Sequence, residues 1–182
     1  MMSTLIEGGE NLSFSIKTKY EMATKKEKTL PTLPEGYQAK SGIAWGSRVE
    51  GLLEISFWNL KRKNALTAES HVQIARLVKA AQNDEKIKVI LFHGGLFYSS
   101  GNDLDALISS ANLEPEQRQH IARINVEHYL VQVLKILNES KKPIVGLCRG
   151  QSIGIGFTMM GMFDFIYCSP DAKFSTPFMK SS

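Results

Sequence analysis

Lys88-Val89-Ile90-Leu91-Phe92-His93-Gly94-Gly95, followed after Leu96 by Phe97-Tyr98-Ser99-Ser100-Gly101-Asn102-Asp103-Leu104, is the stretch that decides the fold. Its first part is a short apolar run stopped by two glycines, the pattern of a buried strand ending at a tight turn. Its second part is a polar, glycine-bearing turn. A similar turn, Gly154-Ile155-Gly156, stands before Phe157-Thr158-Met159-Met160. Glycine permits tight geometry at such strand-to-helix junctions, and the first N–H groups of the following helix lack intrahelical partners. Those donors can receive a carbonyl oxygen or a phosphate. Taken singly, either turn serves equally well as a packing element. Together they can aim two N–H groups at one oxygen, which is the arrangement of an oxyanion hole.

Working outward, residues 51–58 alternate as a strand and pair with residues 42–47 through a polar turn. Thr67 then caps a helix whose apolar face carries Ile74, Leu77, Val78 and Ala81. A longer helix is predicted over residues 116–138, with Ile124, Val131 and Leu134 on its packing face and Leu130 and Leu137 beside them. Residues 143–148 form a buried strand, residues 153–162 a helix, and residues 163–168 another strand. Strands alternating with helices argue an α/β domain with a largely parallel sheet.

With 182 residues, 43% of them hydrophobic and 22% charged, the chain can bury a core of its own. Its net charge is +4, but the basic residues are dispersed apart from Lys25-Lys26-Glu27-Lys28 and Lys61-Arg62-Lys63. A nucleic-acid-binding surface is more concentrated than this. Cys148 and Cys168 both fall in apolar runs, as buried thiols of a reducing compartment do, rather than in a disulfide framework. His71, His93, His120 and His128 lack zinc-site spacing, so no metal is expected. No apolar run reaches the ~18 residues of a membrane span. Residues 1–38, with Pro31 and Pro34 and little periodicity, are expected to be an irregular extension or linker, and residues 39–182 the domain.

Four motifs in order carry a resemblance. They are Asn59-Leu60-Lys61-Arg62-Lys63-Asn64-Ala65-Leu66, Tyr98 through Leu104, Lys142-Pro143-Ile144-Val145-Gly146 with Gly150, Gly154 and Asp164, and Ala172-Lys173-Phe174-Ser175-Thr176-Pro177-Phe178. In this succession the chain resembles the crotonase (enoyl-CoA hydratase/isomerase) superfamily, and most of all its peroxisomal-type 3,2-trans-enoyl-CoA isomerases. The resemblance implies ββα units wound into a spiral, acyl-CoA thioesters as substrates, and no cofactor, since coenzyme A is part of the substrate. It also implies fatty-acid metabolism in a mitochondrion or peroxisome. Position by position, it puts the oxyanion N–H groups on Asn102 and Ile155. Substrate binding falls to Ala65, Ser100, Gly101, Asp103 and Leu104, with Lys63 and its neighbours either attracting the coenzyme A phosphates or forming a solvated loop.

The departures from the pattern are informative. Hydratases of the superfamily place glutamates where this chain has Thr158 and Phe178, and water addition needs such carboxylates. The isomerases need one general base, which the resemblance puts just beyond Ser182. The expectation is therefore an N-terminal core only, without the C-terminal helical region that builds the family's trimers. Three readings follow: part of an isomerase completed by further chain or a partner, a non-catalytic structural or interaction subunit, or another thioester activity with a different base. Asp103 is expected to be a turn or cap residue, Asp105 and Glu114 solvated, and Asp164 a structural hydrogen-bond acceptor.

Overall fold

The alternation over residues 51–58 is realised as β3 (Leu52–Phe57). It pairs antiparallel with β2 (Ile43–Gly46), Ile43 opposite Phe57 and Gly46 opposite Glu54, and β2 pairs with β1 (Gln38–Lys40). The computed structural model describes residues 32–105 and 113–177. The chain divides into Met1–Thr32 and a unit spanning Leu33–Ser182, and the architecture below belongs to the second. Most of the expected extension, Lys25 to Lys28 included, lies outside the described residues, as does Phe178.

Pleating sends Ile55 and Phe57 to one face of β3 and Glu54 and Ser56 to the other. The first face meets α1 (Ala68–Asn83), whose Ile74, Leu77, Val78 and Ala81 join Ile55 and Phe57 in one buried cluster. A capping box starts this helix: Ser70 N donates to Thr67 Oγ1 at 3.2 Å, and Thr67 N donates to Ser70 Oγ at 3.1 Å. On the other face Glu54 is buried, its Oε2 3.6 Å from His93 Nε2 and 3.7 Å from Arg48 Nε. Burial opposes its ionisation, but His93, Tyr37 and Arg48 outweigh that and hold the carboxyl below its ordinary value. Burial, reinforced by Glu54, pushes the Tyr37 phenol up to about 12.

β4 (Val89–His93), β5 (Ile144–Cys148) and β7 (Phe165–Cys168) continue the sheet in parallel, giving the order β1-β2-β3-β4-β5-β7. Between β4 and β5 the chain crosses through α2 (Pro115–Ile124), a π-helical segment Asn125–Leu130 and α3 (Val131–Asn138). Val133 and Leu137 bring α3 into the core. Aromatic contacts tie strands to turns: Phe57 meets Tyr98 edge-on at 4.9 Å, and Phe92 stacks on Phe163 at 5.0 Å. Two strands paired antiparallel and followed by a helix, then parallel strands, make a mixed α/β ββα arrangement.

Four expectations are corrected. The helix predicted over residues 153–162 is borne out from Ile155 onward, as a single α-turn α4 (Ile155–Thr158) and a 3-10 turn Met159–Met162, and is corrected at its start, which is β6 (Gln151–Ile153). That strand pairs with β8 (Lys173–Ser175) in a second, two-stranded sheet. On the long helix Val131 is exposed and Val133 is buried, because the wide π turn shifts the phase carried from Ile124. The strand predicted over residues 163–168 starts at Phe165 and is exposed throughout. Cys168, which ends that edge strand, is exposed as well, whereas Cys148 is buried.

Candidate functional site

Three loops converge at one end of the parallel strands, and Asn64 fastens the first to the second. The loop from Asn59 turns through a short 3-10 segment, Leu60–Arg62, and leaves Lys63 and Asn64 with positive φ. Asn64 is fully buried. Its Nδ2 donates to Gly94 O at 2.8 Å and Phe97 O at 2.7 Å, while its Oδ1 accepts from Asn59 N at 3.0 Å. Ser99 Oγ donates to Asn64 O at 2.8 Å and accepts from Gly101 N at 3.1 Å. The backbone adds a short parallel ladder, with Leu66 N donating to Gly101 O and Asp103 N to Leu66 O, both at 2.8 Å.

The second turn is packed directly on the first. Ser99 N donates to Gln151 O at 3.2 Å and Ile153 N donates to Ser99 O at 2.9 Å, a bridge between the two loops. Gly101, with φ +91°, lies so close to Ile153 that a Cβ there would come within 2.8 Å of the Ile153 carbonyl oxygen. A Cβ on Gly156 would stand 2.7 Å from Ser99 Cβ. From the far side, β8 holds the turn through Gly154 N donating to Ser175 O at 2.9 Å. Ile155 begins α4, where Phe157 N and Thr158 N both donate back to Gly154 O. The N–H groups of Asn102 and Ile155 have no protein acceptor among the described residues.

The remaining predicted positions spread around this junction. Ala65 is buried, Ser100 is half-buried, and Asn102, Leu104 and Lys63 are exposed. Ser100 N donates to Lys63 O at 3.0 Å and its Oγ to Arg62 O at 3.1 Å, so its hydroxyl is spent on the loop. Asp103 Oδ1 accepts from Asp105 N at 2.9 Å and lies 3.1 Å from Arg62 Nη2, the turn role expected of it. Asp105 pairs with the same guanidinium, and that contact lowers its carboxyl's pKa and raises that of Arg62. Asp164 Oδ2 accepts from Ile144 N at 2.7 Å, the structural bond expected. The roles of Asn64 and Ser99 are not legible in the motifs that contain them, because Asn64 donates to carbonyls some thirty residues away and Ser99 donates to the Asn64 carbonyl. Phe157 and Phe174, which stand in the sequence motifs without a role of their own, are half-exposed rings 5.1 Å apart beside the second turn.

Residues 47–181 match the family model described as enoyl-CoA hydratase/isomerase. The chain belongs to the enoyl-CoA hydratase/isomerase family. Among curated relatives, human enoyl-CoA delta isomerase 2 is 34% identical over 129 residues, covering 71% of this chain and 32% of the relative. The mouse protein named enoyl-CoA delta isomerase 3, peroxisomal, is 29% identical, covering 73% of this chain and 40% of its own length. The solved structure of Pseudomonas aeruginosa OdaA superposes with a TM-score of 0.64 at 27% identity, over 77% of this chain and 52% of that one. This family member thus spans about a third to a half of the length of these relatives.

Proposed function

We propose that this chain carries the oxyanion-stabilising part of an enoyl-CoA isomerase-type site, of the peroxisomal kind. Asn102 N–H and Ile155 N–H receive the thioester oxygen of a 3-enoyl-CoA as it becomes an enolate on the way to the 2-trans isomer. The observation that carries the reading is the direct packing of the two turns, with Gly101 against the Ile153 carbonyl and both N–H groups lacking protein acceptors among the described residues. Donors fixed before charge develops need no reorganisation during reaction, and one such donor is worth about 3 kcal/mol of transition-state stabilisation. Ala65, Ser100 and Lys63 line the coenzyme A path, Asp103 and Leu104 flank it, and Phe157 with Phe174 offers an apolar wall to the acyl chain. The compartment that goes with this reading is the peroxisome, for which the mouse relative's name gives support, or the mitochondrion.

The acids nearest the turns are committed elsewhere: Asp103 and Asp105 to Arg62, and Asp164 to the Ile144 amide. The proton-moving base therefore comes from outside the described residues, from further polypeptide or a partner. The expected result is that the purified 182-residue chain binds a saturated acyl-CoA by calorimetry yet forms no conjugated 2-enoyl thioester from a 3-enoyl-CoA. A folded chain that binds no acyl-CoA overturns the proposal, and turnover by the chain alone overturns the assignment of the base. The second reading, a non-catalytic interaction subunit, is favoured by the exposed apolar strand β7. It predicts a stable partner complex in which the supply of a base restores no turnover.

A further inference from the structure

Cys148 ends β5, Cys168 ends β7, and the register of these parallel strands sets the two residues opposite one another. They are the chain's two cysteines. Neighbouring strands run about 4.8 Å apart, and residues in register on parallel strands project from the same face. A disulfide requires Cα atoms roughly 4.4–6.8 Å apart, so strand spacing already meets the requirement. Both thiols are free, Cys148 buried and Cys168 exposed. The strand ends around them are held in place: Ser169 N donates to Cys148 O at 2.9 Å, and Ser169 Oγ donates to Asp171 Oδ1 at 2.5 Å.

We propose that Cys148 and Cys168 form a dithiol modification site, which a hydroperoxide converts to an intrachain disulfide joining β5 to β7. Cys168, the accessible partner, attacks first: its S–O bond forms, the peroxide O–O bond breaks, and the leaving hydroxide or alkoxide takes up the proton that the Cys168 thiol gives up, departing as water or an alcohol. The resulting sulfenic acid is then attacked by Cys148 Sγ. The S–S bond forms, the S–O bond breaks, and the departing hydroxide leaves as water with the Cys148 proton. The two sulfurs together lose the two electrons that the peroxide gains. Burial pushes the Cys148 thiol up to about 12, with Cys168 and Asp171 acting in the same direction. It stays protonated at neutral pH and inert to the oxidant until an electrophilic sulfur forms beside it.

The crosslink would lie at the base of the second turn. From Cys148 the chain passes through Arg149 and Gly150 into β6 and Gly154. From Cys168 it passes through Ser169 and Asp171 into β8, whose Ser175 carbonyl accepts the Gly154 N–H. A disulfide therefore joins both segments that support Ile155, and oxidation reports on the site through its rigidity.

Hydrogen peroxide added in equimolar amount to the folded protein tests this, read by intact mass without reductant, by thiol titration and by sedimentation. The expected product is a species of unchanged oligomeric state, lighter by two hydrogens, that has lost both thiols together and regains them with dithiothreitol. Cys168 ending as a sulfinic acid, a crosslink between two chains, or no reaction would each overturn the proposal. In Cys148→Ser, the expected product is a Cys168 sulfenic acid trapped by dimedone; in Cys168→Ser, Cys148 should stay reduced at the same peroxide. Oxidation of Cys148 in that second variant would also overturn it. The wild-type measurement stands whether or not either variant folds.

Discussion

His71 sits in the core on α1 with its Nε2 lacking a hydrogen-bond partner. Burial lowers its pKa from 6.5 to about 4, so the folded state holds it neutral where an unfolded chain would protonate it. Between those values the unfolded state binds more protons, and stability rises with pH. The contribution is complete above about pH 6.5 and is lost as pH falls toward 4, a change of about 3 kcal/mol. Urea midpoints at pH 7 and pH 4.5 should differ accordingly in the wild type, and His71→Leu should flatten that slope while remaining folded. A parallel slope in both proteins would remove His71 as the cause. Asn64 presents the opposite case, a buried polar side chain with its bonds made. Asn64→Ala strands the Gly94 and Phe97 carbonyls and should cost about 3 kcal/mol in denaturant unfolding. None of those acceptors is a sequence neighbour, which is why Asn64 could be quoted in a motif without its structural role being visible.

At the scale of elements, what was legible depended on how locally each one is determined. α1 has a side-chain cap and an uninterrupted apolar face, and both were readable at Thr67, Ile74, Leu77, Val78 and Ala81. β3 and β4 carry enough alternation or apolar length to be recognised alone. β6 and β8 are three residues each and owe their existence to pairing with one another, so neither is legible locally and Ile153 reads as the first residue of the helix that follows it. The π turn is invisible to a constant period and misplaced Val131 for the same kind of reason. The two turns were legible as glycine-bearing junctions, but their mutual contact was not. That contact is open to test, because an added methyl at Gly156 would stand 2.7 Å from Ser99 Cβ and 3.0 Å from its Oγ. Gly156→Ala should separate the turns, weaken acyl-CoA binding at least about tenfold, or about 1.4 kcal/mol, and lower stability by about 1–3 kcal/mol. Unchanged affinity in the folded variant, measured by calorimetry, would take the thioester oxygen away from this junction.

At the scale of the whole molecule, the sheet has two edges among the described residues, β1 and β7, and they differ in character. β1 is short and polar, with Gln38 and Lys40, which discourages further pairing. β7 is Phe165-Ile166-Tyr167-Cys168, exposed at 58% for Phe165, 43% for Ile166 and 63% for Tyr167, with Leu147 of β5 37% exposed beside it. An apolar run reads from sequence as a buried strand, but burial needs a second surface, and no local pattern says whether one is supplied. An edge that combines unpaired backbone groups with large apolar side chains is a template for association. The 182-residue chain should therefore self-associate with rising concentration in sedimentation velocity. Tyr167→Lys puts a charge on that edge without removing core contacts, so it should shift the distribution toward monomer while moving the unfolding free energy by no more than about 0.5 kcal/mol. If the wild type sediments as a single monomeric species throughout, or if the lysine leaves its association unchanged, β7 is not the surface through which these chains meet.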